Sequence, residues 1–519
     1  MITMTTQRSL GLALVLLAAC TQDVAEPNLG IDTEGSGTTT GLDTTTDGEG
    51  STTEPKLDVG DDGPAPQGCA GDANCTLIDI LFVIDNSATM GEEQLNLAAN
   101  FPLLVEKLEE LTGPQGQIVN ADVNIMVTTS DFGHPLCTGF QAEGYTPRQG
   151  APVFTGCNSR LDAFSEPPHY GSLEIPEACT EVCADDVVPG GDPFIHFDNG
   201  GTNVPYNDVS GALACIAPQG INGCGYEAPL ESMLQALRPE ACWNDPGAPG
   251  CDENEEWSWL KKGFLRNGST VAVAIITDEA DCSVASPEGF SFFTDDDNKK
   301  YWKRNPELET KSPSSAICWD AGVKCTDENE DGKYEECVSR PNGEVLHPTE
   351  RYTQFLDYLE QERGHDVVML GILGVPPVTA RSETPPYQPI EGGVADLVYR
   401  DWRDGEWDGT QGGGDILPQE WSAGVTAEHK QWEFGIGPGC TGVHTVEADE
   451  ETDGEETTAF TGQAMPPVRI REVCESRNFV DDDGREQIRC CIESICGDDF
   501  SPAMKCLADI IAGTAIPEG

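Results

Sequence analysis

The chain has 519 residues, of which 91 are acidic and 29 basic, a formal charge of −62. Such a chain is repelled by nucleic acid and by anionic lipid, which argues against both as binding surfaces, and it attracts divalent cations or basic partners. The length allows two or three domains, but the order of elements below reads as one folded body with long insertions.

The chain opens with Arg8 ahead of an apolar run over 10–19. The run is too short to span a bilayer as a permanent helix. It ends Leu17-Ala18-Ala19-Cys20, which resembles a bacterial lipoprotein box with Cys20 as the acylated residue. Residues 1–20 are therefore read as a lipoprotein signal peptide, with a plain signal peptide as the alternative. Thr21 follows. By resemblance to sorting rules in Gram-negative bacteria, the absence of Asp there implies the outer membrane. Residues 21–66 are rich in Thr, Gly, Asp and Glu and hold no aromatic residue. Such a segment buries too little apolar surface to offset its ordering entropy. It reads as a tether between lipid and folded body, with a mean span of roughly 35–40 Å.

Cysteine usage agrees with export. Of 21 cysteines, 20 remain once Cys20 is acylated, and an even set in an oxidising compartment reads as disulfides. Zinc is the competing use. The closest pairs, Cys179/Cys183, Cys490/Cys491 and Cys491/Cys496, form no paired C-x-x-C array, so structural zinc is disfavoured.

The folded region, 67–519, begins near Cys69 and Cys75. Residues 78–84 read as a buried parallel strand. Asp85 ends it, and Ser87 and Thr89 follow at alternate positions. One carboxylate and two hydroxyls on a tight loop are hard oxygen donors suited to Mg²⁺, Mn²⁺ or Ca²⁺. The same residues also suit a capped strand-to-helix turn without metal. Next comes a helix over 92–111, with Leu97, Phe101, Leu104, Leu108 and Leu111 at helical spacing. Pro102 is expected to kink it or mark its start. Residues 121–129 read as a second strand. Residues 132–200 read as an insertion stapled by cysteines. Short helices are expected over 207–216 and 227–237. An apolar strand over 271–276 ends Thr277-Asp278-Glu279. A second insertion fills 283–346. A helix over 351–359, a strand over 367–375 and a Pro-, Gly- and Trp-rich insertion over 377–465 follow. The chain closes with a helix over 468–474, a short strand over 487–492 and an amphipathic helix over 500–511. Ala503, Leu507, Ile510 and Ile511 line one face of that last helix.

The stretch from Leu81 to Met90 resembles the D-x-S-x-S-M signature of von Willebrand factor A (vWA) domains. Asp85, Ser87 and Met90 match, and Thr89 stands for a serine. The resemblance implies an α/β fold with a doubly wound, mostly parallel, Rossmann-like sheet, here carrying long disulfide-rich insertions. It also implies a metal-ion-dependent adhesion site. In such a site Asp85, Ser87 and Thr89 hold Mg²⁺ or Mn²⁺, Asp278 completes the shell through water, and an acidic side chain of a protein partner takes the open position. The family also draws a threonine from a middle loop. Thr202 of Gly201-Thr202-Asn203 matches in letters. In a second register Gly223-Cys224-Gly225, just before the helix at 227, stands there instead. The threonine is then lost, and water or Glu227 supplies the oxygen. Both registers remain open at this point.

A second candidate is Asp327-Glu328-Asn329-Glu330-Asp331-Gly332. It matches the first half of a calcium loop, with Asp327, Asn329 and Asp331 at the alternate ligand positions. Position twelve is Val338, so Glu335 or Glu336 would have to donate. Cys325 and Cys337 flank the loop and suit a staple. A solvated acidic loop is the alternative.

Enzyme signatures are poor. The seven histidines form no H-E-x-x-H, and there is no G-x-S-x-G or P-loop. Ser258 to Lys261 matches S-x-x-K without its companions. The expectation is a non-enzymatic envelope lipoprotein that binds a protein partner through a divalent cation. The alternative is a structural envelope protein, held by disulfides and calcium, with a vestigial site.

Overall fold

The computed structural model describes residues 75–515 apart from segments at 113–118, 139–140, 142–143, 166–177, 180–182, 184–186, 200, 252–255, 328–330, 408–412, 418–424 and 447–456. The signal peptide with Cys20, the tether at 21–66 and Asn329 lie outside the described residues. Among the described residues no helix is long and apolar enough to cross a membrane.

A seven-stranded, mostly parallel sheet organises the fold. Its strands are β1 (Cys75–Ile84), β2 (Asn120–Thr129), β3 (Ile195–Asp198), β4 (Gly201–Thr202), β5 (Thr270–Ile276), β6 (Asp366–Leu373) and β7 (Cys490–Ser494). They lie in the order β7-β6-β5-β1-β2-β3-β4. The five from β7 to β2 are parallel, and β3 and β4 add an antiparallel edge. This mixed α/β architecture is compatible with a Rossmann-like fold. The edge pair was not expected, because β3 and β4 are too short to show a period and lie at the margin of the first insertion.

Alternation along β1 divides the core. Ile78, Ile80, Phe82 and Ile84 face one layer, and Leu81 and Val83 the other. The first layer takes α1 (Gly91–Glu109), α2 (Val209–Ile216) and α6 (Ser501–Ala515). The second takes α3 (Pro229–Leu237), α4 (Thr349–Gln361) and α5 (Val468–Glu475). Phe82 meets Phe101 of α1 edge to face at 5.2 Å. Pro102 neither starts nor ends α1. It lies inside the helix on its exposed side, where its missing amide leaves the Ala98 carbonyl without its helical donor.

Buried charge anchors the opposite end of β1 and β2. The Arg266 guanidinium donates to Asp79 of β1 at 2.8 Å and to the Asp122 backbone carbonyl at 2.9 Å, and it also reaches the Asp122 carboxylate. Both carboxylates are fully buried, so the ion pair compensates charges that could not stand alone.

All three insertions leave from carboxyl ends of parallel strands, after β2, β5 and β6. They are less formless than their composition suggests. Hairpins pair Val323–Thr326 with Glu336–Ser339, Val378–Arg381 with Pro389–Gly392, and Cys440–Val446 with Thr457–Ala464. Trp319 and Val323 of the second insertion share a core with Tyr399, Trp402 and Ile436 of the third. Every described cysteine is disulfide-bonded. Nine bridges join described pairs: 137–224, 157–179, 183–215, 242–251, 282–318, 325–337, 440–496, 474–490 and 491–506.

Candidate metal centre

Parallel pairing brings the ends of β1, β2 and β5 level. The Asp85 amide donates to the Ile276 carbonyl at 2.9 Å, and the Ser130 amide donates to the Ile84 carbonyl at 3.2 Å. Ligand sites in open α/β sheets gather just past such ends. Asp85 is fully buried there. Its Oδ1 accepts the Ser87 amide at 2.8 Å, and its Oδ2 accepts the Thr277 hydroxyl. Ser87 Oγ and Thr89 Oγ1 lie 3.5 Å apart. Ser87 is buried and Thr89 exposed, so the site opens to solvent on the Thr89 side. Asp278 sits beside Thr89, and its Oδ1 has no hydrogen-bond partner. The sheet thus gathers Asp85, Ser87, Thr89 and Asp278 in one place.

Thr202 does not join them, which corrects one of the two registers. It lies in β4 at the sheet edge, where its hydroxyl donates to the His196 carbonyl at 2.7 Å. Through Phe197 and Val123 it is level with Ile78, near the start of β1. At about 3.3 Å per residue that is roughly 20 Å back from Asp85. The segment 223–227 comes to the Asp85 loop instead. The Gly223 amide donates to the Asn86 carbonyl at 2.8 Å. A Cβ on Gly223 would stand 2.6 Å from that same oxygen, so the close approach of the two loops requires glycine.

The cluster also holds residues that no sequence motif marks, Gln94, Asp131 and Glu93 among them. Thr277 was noted only as part of a strand end, yet it orients the Asp85 carboxylate. Gln94 of α1 donates to the Asp85 carbonyl at 3.1 Å and accepts the Gln219 and Gly220 amides at 2.6 and 3.0 Å, tying the loop at 85 to the one before α3. Asp131 is satisfied internally, by Tyr145 at 2.6 Å, Gln141 at 3.0 Å and the Gly133 amide at 2.8 Å. Glu93, Glu227 and Glu279 bring further negative charge. Glu93 Oε2 and both Glu227 carboxylate oxygens are buried without a hydrogen-bond partner.

The electrostatics follow from this crowding. Burial raises the Asp85 carboxyl above its ordinary range, opposed by its bonds from Thr277 and Ser87. Burial, then the charge of Asp85, pushes Asp278 up to about 7. Glu93, Glu227 and Glu279 are raised well above theirs, again by burial first and then by neighbouring carboxylates. Lys430 of the third insertion acts on Glu279, but it pairs with Glu433 at 2.9 Å. Carboxylates buried together without compensation are costly. A hard divalent cation is the group that such an oxygen set fits.

No family model matches the chain, and no curated protein matches it.

Two other groups among the described residues bring three ligand atoms within 4.8 Å of one another: Cys157, Cys179 and Cys183, and Asp122, His196 and Asp198. The three cysteines are consumed by the bridges 157–179 and 183–215. Asp122 is held by Arg266, whose charge opposes a cation. The carboxylates around Asp85 form no such tight trio.

The described ends of the acidic loop bond to one another. Asp327 accepts the Asp331 and Gly332 amides at 3.3 and 3.2 Å, and Asp331 accepts the Lys333 amide at 3.0 Å. Gly332 has φ of +73°, as the sharp turn needs. Cys325 and Cys337 are joined across the hairpin that carries it.

Proposed function

We propose that this chain is a cell-envelope lipoprotein whose vWA-like domain binds a protein partner through a divalent cation. The cation is held by Asp85, Ser87 and Thr89, with Asp278 joining through water. The observation that carries this reading is the gathering of buried, unpartnered carboxylate oxygens at the carboxyl ends of β1 and β5, around the D-x-S-x-T loop. Mg²⁺ or Mn²⁺ is the cation the resemblance implies, and the resemblance also implies an acidic side chain of the partner at the open position, on the exposed Thr89 side. The acidic loop at 327–331 supplies a separate Ca²⁺ position. A second reading, a structural envelope protein with a vestigial site, is favoured by the burial of Asp85 and Ser87.

The two readings differ in one measurement. In the first, Mn²⁺ or Mg²⁺ raises the melting temperature of the full chain. Ligand linkage stabilises by about 2.7 kcal/mol when the free ion is at 100 times its Kd. Asp85→Ala abolishes the shift while the circular dichroism spectrum stays that of the parent. The double substitution Asp327→Ala and Asp331→Ala leaves the shift in place. Identical responses of parent and Asp85→Ala would put the structural reading ahead.

Anchoring is tested separately. Cys20→Ser is expected to release the protein from membranes or to leave it unprocessed. Fractionation with mass spectrometry of the mature amino terminus reads the outcome, and an unmodified terminus at another residue would remove the lipid anchor from the proposal.

A further inference from the structure

Glu227 stands out among the buried carboxyls of the described residues. It is fully buried at the end of the middle loop, just before α3. Both of its carboxylate oxygens lack a hydrogen-bond partner. Its side-chain neighbours are the carboxyls of Asp85 and Asp131 and the Ser130 hydroxyl, of which only the hydroxyl favours a charged glutamate. Two of these are carboxylates, so the environment repels a bare glutamate rather than stabilising it.

The backbone leaves Glu227 no room to turn away. Its carbonyl accepts the Cys282 amide at 2.6 Å, and the next amide, of Ala228, donates to the Ser130 carbonyl at 2.9 Å. The residue before it, Tyr226, stacks on His134 at 4.2 Å with the rings 10° from parallel. Cys224 is bridged to Cys137. Loops from β2, β5 and the first insertion therefore fix the backbone on both sides of Glu227. Building a rigid pocket around an uncompensated carboxylate is expensive unless something positive completes it.

We propose that Glu227 is a direct ligand of the cation held at Asp85, supplying a carboxylate oxygen where the vWA resemblance expects a threonine hydroxyl. This rests on the cation reading above. It adds a charged ligand to that site, and it has an electrostatic consequence. Two directly bound carboxylates leave a divalent cation formally neutral, and Asp278 lies beyond them. The open position then suits an uncharged oxygen of the partner better than an acidic side chain.

The test uses Mn²⁺ as probe on the full chain carrying Asp327→Ala and Asp331→Ala, with affinity read by calorimetry and stability by thermal melting. Glu227→Gln keeps size and shape and removes the charge. It is expected to weaken Mn²⁺ binding at least about tenfold, equivalent to about 1.4 kcal/mol, and to raise the melting temperature of the metal-free protein by relieving repulsion. Glu227→Thr, which restores the residue type of the resemblance, should bind Mn²⁺ with affinity between the two. Millimolar acetate should leave the water-proton relaxation of bound Mn²⁺ unchanged in the parent. An unchanged Mn²⁺ affinity in Glu227→Gln overturns the assignment, and a drop in relaxation with acetate overturns its consequence. If Asp85→Ala binds Mn²⁺ as the parent does, the cation reading itself fails. If Asp85→Ala loses binding while Glu227→Gln keeps it, only the role of Glu227 fails.

Discussion

Replacing Arg469 by alanine is expected to destabilise the folded chain by about 3–5 kcal/mol, the usual cost of stranding a buried charge. Arg469 of α5 donates to Asp281 Oδ2 at 2.9 Å and to the His347 carbonyl at 2.6 Å, and the side chains of the pair are 3% and 0% exposed. Asp281 has no water to fall back on. Its other oxygen accepts the Leu230 amide at the start of α3 and the Ser283 hydroxyl, at 3.2 and 2.6 Å. The pair thus ties the loop after β5, the beginning of α3 and α5 into one joint. Arg469→Lys should rescue little, because a single ammonium cannot reproduce the two divergent bonds of the guanidinium. Urea unfolding of the full chain measures the cost. A loss below about 1 kcal/mol, the range of exposed pairs, would contradict the burial argument. Asp278 and Glu227 flank the same joint, so the variant should also respond less to Mn²⁺.

Removing the bridge between Cys137 and Cys224, by alanine at both positions, is expected to cost about 2–5 kcal/mol. It closes 87 residues of chain, and long loops lose most entropy when tied in the unfolded state. The effect is more than global. Cys224 lies between Gly223, pressed against the Asp85 loop, and Glu227, so the bridge also holds the middle loop in its position. The double variant should lose part of its Mn²⁺ response at a temperature where its far-ultraviolet spectrum is still native. Full reduction of the parent should go further, because bridges 282–318 and 440–496 fasten the second and third insertions as well. Thiol counting on the unreduced, denatured mature protein should find no free thiol among residues 75–515. Several free thiols would contradict the pairing.

The elements that the sequence determined by itself are those with local causes. The apolar runs of β1, β2, β5 and β6 are buried on both faces, so each is continuous and readable without knowing its neighbours. The spacing of Leu97, Phe101, Leu104 and Leu108 marks α1 for the same reason. Asp85, Ser87 and Thr89 stand within five residues, and their alternation is visible on the line of the chain. Asp278 is visible as the polar end of an apolar strand.

What only the tertiary structure decided depends on distant residues meeting. Thr277 and Asp85 are 192 positions apart, and only the parallel pairing of β1 with β5 makes the Thr277 hydroxyl a partner of that carboxylate. Thr202 matched a motif in letters, and strand pairing placed it at the far edge. Its rival could not be chosen from letters, because a glycine-rich loop has no pattern that names its neighbour. The contact of Gly223 with Asn86 is what brings that loop to Asp85. In sequence Glu227 is only one oxygen source, offered beside water, in a chain with 91 acidic residues. Burial against Asp85 sets it apart, because the cost of a charge depends on what surrounds it and not on its place in the chain.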